Sequence, residues 1–477
     1  MTPQEAQRND FGRQAATADS PATNRSHYRW VICALLFFAT TINYVDRQVF
    51  SILGPNLTDE FHWTAPDYSA IVSAFTLAYA VGYLVVGRMM DRIGVRAGLA
   101  LAVAVWSLAA MAHGLVGPLV YSGLPWIKAA LAGSLTGAVT PAVLSVAGFS
   151  MARFALGLAE GGNFPAAIKT VGQWHPKRER ALSTGIFNSG SNVGIIIAAY
   201  AVPLVVGKLN WGWAAAFYFT VALGFLWLLF WLAMYDRPQR HPRVSPAELA
   251  VIESDPPDAP DPIPWICLLG YRQTWAYALG MFLASPVWWF YLYWLPKFLK
   301  NNHGIDLGHV FWPLLIVYLM ADLGSIGGGG LSSWLIRRGA SVNAARKTAF
   351  LVCALCVAPV VIVARVTNLW AAVFLIGLAA AAHQGFSANL YTIVSDTVPR
   401  KAISSVVGIG GTAACLGMLV LSTLVGQILQ WTQAVYGKED YLIPFVIAGS
   451  AYLVATAIIH LLLPRLEPLE LAKPRDA

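Results

Sequence analysis

Twelve runs of apolar residues, each near the ~20 residues that a helix needs to cross a bilayer, dominate this sequence. They fall near 30–53, 68–89, 96–116, 144–168, 182–205, 213–234, 274–299, 309–335, 347–366, 369–395, 403–429 and 441–463. Charged residues make up 12% of the chain, against about 25% for a soluble domain. A backbone in hydrocarbon must satisfy its own hydrogen bonds, which a helix does within one segment. The sequence therefore reads as a polytopic membrane protein and excludes a soluble fold with a large core.

The basic residues test the span count. With the N-terminus in the cytoplasm, 24 of the 32 Lys and Arg residues fall in cytoplasmic segments and 6 on the opposite side, while Arg47 and Arg153 lie within spans. Residues 117–143 are also fairly apolar, but broken by Gly and Pro. A thirteenth span there would scatter the charge asymmetry. They are read instead as an insertion between spans 3 and 4, a re-entrant or interfacial hairpin. The net charge of +8 is thus a topology signal, and no nucleic-acid partner is expected.

The most polar internal stretch, 235–272, is rich in Pro and charge and divides the spans six and six. The fold class expected is an all-α membrane protein of twelve transmembrane helices in two six-helix bundles. The domains run 1–28 (a disordered cytoplasmic tail), 29–234 (first bundle, with the insertion), 235–272 (cytoplasmic linker), 273–464 (second bundle) and 465–477 (cytoplasmic tail). The polar N-terminal tail has no apolar h-region, so no cleavable signal peptide is expected. The halves also echo each other: RALSTGIFNSGSNVG (180–194) and KAISSVVGIGGTAACLG (401–417) open spans 5 and 11 alike, and internal repeats are common in transporters.

Cys353 and Cys356 form a CxxC inside an apolar run with no further ligand nearby, and read as buried helix residues. Neither a metal nor a cofactor is expected. A hydrolase elbow and a phosphate loop are absent from the sequence, so an enzyme is disfavoured; a sensor is disfavoured because the longest polar segment is only the linker.

Ionisable residues inside spans are costly and mark function by default. Four stand out: Asp46, Arg47, Arg153 and Glu160. Arg153 and Glu160 lie two turns apart on one face of span 4, whereas Asp46 and Arg47 are about 100° apart on span 1. One division has the arginine facing a substrate cavity and Asp46 facing a neighbouring helix. Two acids and two bases balance, and protonating an acid leaves a positive cavity that attracts an anion. The alternative is a buried salt-bridge network that only holds helices together.

GRMMDRIGVR (87–96) resembles the signature loop of the major facilitator superfamily. Gly87 would allow close helix approach, and Asp91, with Arg92 and Gly94, would latch the two bundles by accepting from donors at a helix end. The matching site in the second half, GGLSSWLIRRG (329–339), has Ser333 where an acid is usual, so its latch should be weaker. NYVDR (43–47), RFALGLAEGGNFPAAIKTVGQWHPKRERALSTGIFNSGSNVG (153–194) and WWFYLYWLPKFL (288–299) are similar to the anion:cation symporter family within it, most of all to hexuronate transporters.

The resemblance implies a proton-coupled importer of an anionic sugar acid in the cell inner membrane, working as a monomer by alternating access. Arg47 matches the arginine that binds the substrate carboxylate, and Asp46 a proton-coupling acid. Glu160 matches the acid that takes the coupling proton, with Arg153 its conformational partner. Tyr44 and Tyr79 match tyrosines of the sugar-acid site. The chain departs from hexuronate carriers at Met281 and Ser285, where a lysine and an acid are usual, and from galactonate carriers in span 11, which lacks their asparagine. Other sugar acids (galactonate, glucarate) and small aromatic or dicarboxylic acids are the alternative substrates, and Na⁺ the alternative coupling ion.

Further candidates follow from position alone. Trp288, Trp289 and Tyr291 would stack on a sugar or form the outer aromatic belt. Asn188, Ser191 and Asn192 on span 5, and Gln384, Ser387 and Asn389 on span 10, offer either hydroxyl binding or polar helix contacts. Asp322, midway along span 8, reads as a structural or coupling residue, Asp396 as a partner of Arg400 or Lys401, and His383 as a satisfied core residue.

Overall fold

The structure, a computed structural model, describes residues 26–130, 140–255, 265–305 and 311–469. Most of the tail expected over 1–28, and the last eight residues, lie outside the described residues. The first bundle holds α1 (Tyr28–Phe61), α2 (Ala65–Ile93), α3 (Val95–Ala130), α4 (Pro141–Glu160), α5 (Asn163–Trp174), α6 (Lys177–Pro203) and α7 (Trp213–Met234). A short helix, α8 (Pro246–Ile252), lies in the linker. The second bundle holds α9 (Arg272–His303), α10 (Phe311–Arg337), α11 (Val342–Val357), α12 (Leu369–Thr397), α13 (Ile403–Tyr436) and α14 (Leu442–Leu462). Among the described residues, eleven helical stretches are long and apolar enough to cross a membrane, one of them formed by α4 and α5 together. The 32-residue α9 covers the seventh expected span.

Local chemistry sets the helix starts. Thr64 and Asp67 form a reciprocal capping box at the head of α2. Thr140, Ser245, Ser341 and Asn368 each accept from the amide three residues on, at the heads of α4, α8, α11 and α12. Pro203 ends the regular part of α6, which runs on as a π-helical turn, Leu204–Lys208.

The expected insertion is resolved differently over its first half. Residues 117–130 continue α3 as one 36-residue helix rather than starting a hairpin. Gly114 and Gly117 do not break it because they are packing surfaces, lying against Tyr218 and Trp213 of α7. The Ser122 hydroxyl donates to the Pro118 carbonyl at 2.7 Å, one turn back. The part of the insertion over 131–139 lies outside the described residues.

Each bundle is filled by aromatic packing. At one end of the first, Phe50, Phe61, Trp63 and Phe149 stack edge and face within 5.2–6.4 Å of one another. The Trp63 indole donates to Ser145 at 2.8 Å, so burying it leaves no orphaned N–H. Outward faces stay apolar, as at Leu229, Leu419 and Leu461, which lipid rather than water would solvate.

The bundles make their most extensive contacts along two crossings, α2 with α13 and α6 with α10. Both are lined by glycines whose backbones touch. Gly87 lies under the Ser404 carbonyl and Gly408 under that of Tyr83; Gly185 lies under the Ser325 carbonyl and Gly329 under that of Ala181. Any Cβ at these four positions would collide with a carbonyl, so the crossings need small residues.

Candidate functional site

Asp46 and Arg47 sit in mid-α1, and their neighbouring positions send them to different partners. The Arg47 guanidinium is buried. Its Nη2 and Nε donate to one oxygen of Glu160 at 3.0 and 3.3 Å, and Nη2 also reaches Asn43 Oδ1 at 3.4 Å. The rings of Tyr79, Tyr44 and Phe75 lie 4.4, 4.8 and 5.1 Å from its central carbon. Among the described residues, Nη1 has no hydrogen-bond partner. A guanidinium has five N–H donors in a fork made for a carboxylate, and here one tooth is open. Asp46 lies beside Thr220 of α7, but Thr220 gives its hydroxyl to the Phe217 carbonyl. Both Asp46 oxygens are left without a partner among the described residues.

Glu160 owes its position to a break in the fourth span. It is the last residue of α4, and the chain passes through Gly161 and Gly162 before α5 begins. The backbone of α2 crosses there: a Cβ on Gly161 would meet Gly82, Tyr83 and the Tyr79 carbonyl at 2.8–2.9 Å. The two glycines therefore let α2, carrying Tyr79, come against the carboxylate. One Glu160 oxygen takes both Arg47 bonds and the other has no partner among the described residues.

Arg153, two turns earlier, stacks over Phe50 at 4.4 Å and Phe75 at 4.7 Å. Glu160 thus bonds to Arg47 across helices, and Phe75 faces both guanidiniums. Sequence reasoning missed Phe75; its one signal was its place a turn before Tyr79, on which it stacks. Tyr79 and Tyr83 in turn bring their hydroxyls within 3.2 Å.

The second bundle contributes mainly packed aromatic and amide groups. Trp288 stacks on His383 with centroids 5.3 Å apart, and His383 Nδ1 lies 2.6 Å from the Tyr452 hydroxyl, so this histidine is a satisfied core residue. Tyr291 is buried with its hydroxyl unpartnered among the described residues, and Trp289 is half-buried. Asn188 donates to Gln384 at 2.7 Å and to Ser325 at 3.2 Å. Ser191 turns back to the Asn188 carbonyl, and Asn389 donates to the Gly328 and Gly385 carbonyls. These amides join helices and are not brought onto Arg47.

At the basic face, where the helix ends and linker carry most of the Lys and Arg, ion pairs close the interface. Asp91 accepts from the amide and hydroxyl of Ser405, at the head of α13, at 2.7 and 2.6 Å, and from Lys169 at 2.7 Å. Arg92 is exposed and Gly94 ends α2 at φ 84°, a conformation glycine adopts without strain. Ser333 makes a related contact in the other half, accepting from the Leu182 amide in the second turn of α6 at 3.3 Å. Between them Asp396 bonds Arg180 at 3.3 Å and Arg346 at 3.0 Å. This differs from the expected pairing with Arg400 or Lys401: two arginines from other helices take the two carboxylate oxygens. The linker joins in, Asp255 pairing with Arg180 at 3.1 Å.

The sequence matches the Major Facilitator Superfamily over residues 36–422. The chain belongs to that superfamily. It is 30% identical to the hexuronate transporter of Escherichia coli K12 over 409 residues, covering 84% of this chain and 87% of that protein. It is 28% identical over 430 residues to the E. coli K12 protein named "Probable galactarate/D-glucarate transporter GarP", covering 86% and 90%. Among solved structures, the proton:xylose symporter XylE superposes with a TM-score of 0.69 at 14% identity, over 93% of this chain and 98% of that one. The superfamily fold accounts for the two helical bundles that meet along α2–α13 and α6–α10, and the chain is a multi-pass membrane transporter of the sugar-acid group.

Proposed function

We propose that this chain imports a sugar-acid anion across the cell inner membrane together with a proton, by alternating access. The observation that carries it is the Arg47–Glu160 pair: a buried guanidinium bound to a carboxylate, ringed by Tyr44, Tyr79 and Phe75, with Nη1 unpartnered. The relatives' names support a sugar acid, with a hexuronate first. Na⁺ in place of the proton is the second reading, since a carboxylate serves either ion.

The chemistry runs through competition for one cation. When Glu160 is ionised, it holds Arg47 and the pair is neutral. A proton from outside converts Glu160 to its acid, which binds a guanidinium weakly, and Arg47 is freed to take the substrate carboxylate through its fork. Charge in the site stays balanced: one anion and one proton enter together. Asp46 is a second proton site, and Arg153 over Phe75 relays the change to the substrate side. The closed basic face, cytoplasmic by the positive-inside rule, makes this the outward-facing state. Opening inward breaks the Asp91–Ser405 and Asp396–Arg180 bonds, and Asp91, Arg92, Gly87 and Gly94 act as the latch.

Uptake of labelled glucuronate, galacturonate, galactonate and glucarate into proteoliposomes tests this, with and without an imposed pH gradient. At least one sugar acid should accumulate with an inward proton gradient, and Arg47→Ala should abolish its binding. Normal transport by Arg47→Ala removes the site assignment; no uptake of any organic anion removes the function. Uptake driven by Na⁺ but not by protons selects the second reading.

A further inference from the structure

The α6–α10 crossing is a ladder of contacts that climbs from the basic face into mid-membrane. Its rungs are Ala181 with Gly329, Gly185 and Asn188 with Ser325, and Asn192 with Asp322. The last rung is a 2.8 Å hydrogen bond from Asn192 Nδ2 to Asp322 Oδ1. Ser325, one turn below, is fully buried, whereas Asp322 is partly exposed. Asp322 is therefore the outermost of these rungs, and its carboxylate is left partly exposed.

Depth places Asp322 level with Arg47. Counting about 1.5 Å per residue from the basic-face end of each helix, Tyr44, Asn192, Asp322, His383 and Trp288 all lie roughly 21–24 Å in. Arg47 is one turn farther out on α1, and its side chain points back along the helix, over the Tyr44 ring. Gly194, two residues beyond Asn192, lies so close to α1 that a Cβ there would meet the Thr41 carbonyl and the Tyr44 Cβ, so α6 carries Tyr44 on one face and Asp322 on another.

The two bundles offer complementary groups at this level. In the first, Arg47 offers an open donor. In the second, Asp322 is the one acid in the interior of the described spans, and Lys and Arg occur only near helix ends, as Arg272, Arg337, Arg346, Lys347 and Arg365 do. Among the described residues, Asp322 has Asn192 as its one hydrogen-bond partner. A carboxylate with lone pairs to spare accepts hydroxyls and repels another carboxylate.

Resting on the sugar-acid reading, we propose that Asp322 is the residue with which the second bundle reads the substrate. It accepts hydroxyls from the polyol end while Arg47 holds the carboxylate, and it rejects a second carboxylate at that end. The preferred substrate is then a polyhydroxy monocarboxylate, a uronate or aldonate, and an aldarate is excluded. Asn192 is a positioning residue that fixes the Asp322 rotamer.

The test is competition against labelled galacturonate uptake by the full chain in proteoliposomes. Unlabelled galacturonate should compete at least tenfold better than galactarate, the scale expected for two like charges near a protein surface. Asp322→Asn, nearly isosteric, should narrow that ratio to below about threefold by admitting galactarate, while Asp322→Glu keeps it. Equal competition by the two acids in the unsubstituted chain overturns the proposal and leaves the sugar-acid reading standing; so does an unchanged ratio in Asp322→Asn. If Asp322→Asn does not assemble, the unsubstituted ratio and that of Asn192→Ala, which should loosen discrimination, decide it. Failure of the unsubstituted chain to carry either acid overturns both.

Discussion

Asp91→Asn should open the basic face by an amount that can be worked from its contacts. The Asp91 carboxylate makes two bonds across the bundle interface, from the Ser405 amide at 2.7 Å and its hydroxyl at 2.6 Å. Its third, to Lys169 at 2.7 Å, stays within the first bundle, so losing it weakens both conformations alike and cancels. An Asn side chain keeps an acceptor in place but removes the charge, including its favourable position at the head of α13. Charge-assisted bonds are worth about 1 kcal/mol more than neutral ones, so two of them shift the closed-to-open ratio by about 2 kcal/mol, roughly 30-fold. Spin labels at Ile93 and Lys401 would read this as a longer-distance population in pulsed dipolar spectroscopy of reconstituted protein. An unchanged distance distribution, with Ser405→Ala equally silent, would refute the reasoning, because the latch would then contribute nothing to the closed state.

The counterpart latch should respond in the opposite sense: Ser333→Asp adds a charge opposite the Leu182 amide and should favour the closed basic face, slowing turnover while sparing substrate binding from the opposite side. Gly329→Val puts side-chain atoms into the Ala181 carbonyl and should leave that face unable to close, seen as rapid thiol labelling of a cysteine introduced at Ser325. Phe149→Ala removes a fully buried ring from the aromatic cluster and should cost about 3–5 kcal/mol, read as a lowered melting temperature in detergent. Glu248 of the linker is buried, which alone would raise its pKa, but the Ser26 hydroxyl, the Arg29 and Tyr28 amides and the Arg29 guanidinium hold it below the ordinary carboxylate value. Its contribution to docking the linker on α1 is therefore full above that ordinary value and is lost as pH falls through the depressed one. Amide exchange in 246–252 should stay slow at pH 5, quicken only at lower pH, and be fast at both in Glu248→Gln.

Much of this architecture was written in the apolar spacing, because lipid imposes one simple requirement on each span. The starts of α2, α11 and α12 carry their caps in sequence, and the linker declares itself by Pro and charge. Residues 117–130 misled for a physical reason: Gly and Pro signal turns in water, but in α3 the glycines are contact surfaces for Tyr218 and Trp213. Candidate charges were legible one at a time, since each is expensive in hydrocarbon. Their pairings were not. That Glu160 bonds Arg47, and that Asp396 draws Arg180 and Arg346 from other helices, follows from how the helices pack, which no local pattern encodes. Phe75 carries no charge or motif, and its place a turn before Tyr79 did not by itself mark it as the ring between two guanidiniums.

The central claim is that one proton on Glu160 decides whether Arg47 holds the protein's carboxylate or the substrate's. Glu160→Gln in proteoliposomes tests it most directly, comparing exchange of labelled for unlabelled sugar acid at equal pH with accumulation under an inward proton gradient. The account predicts that exchange persists, since Arg47 is permanently free, while gradient-driven accumulation is lost. Accumulation by Glu160→Gln equal to that of the unsubstituted chain would contradict it.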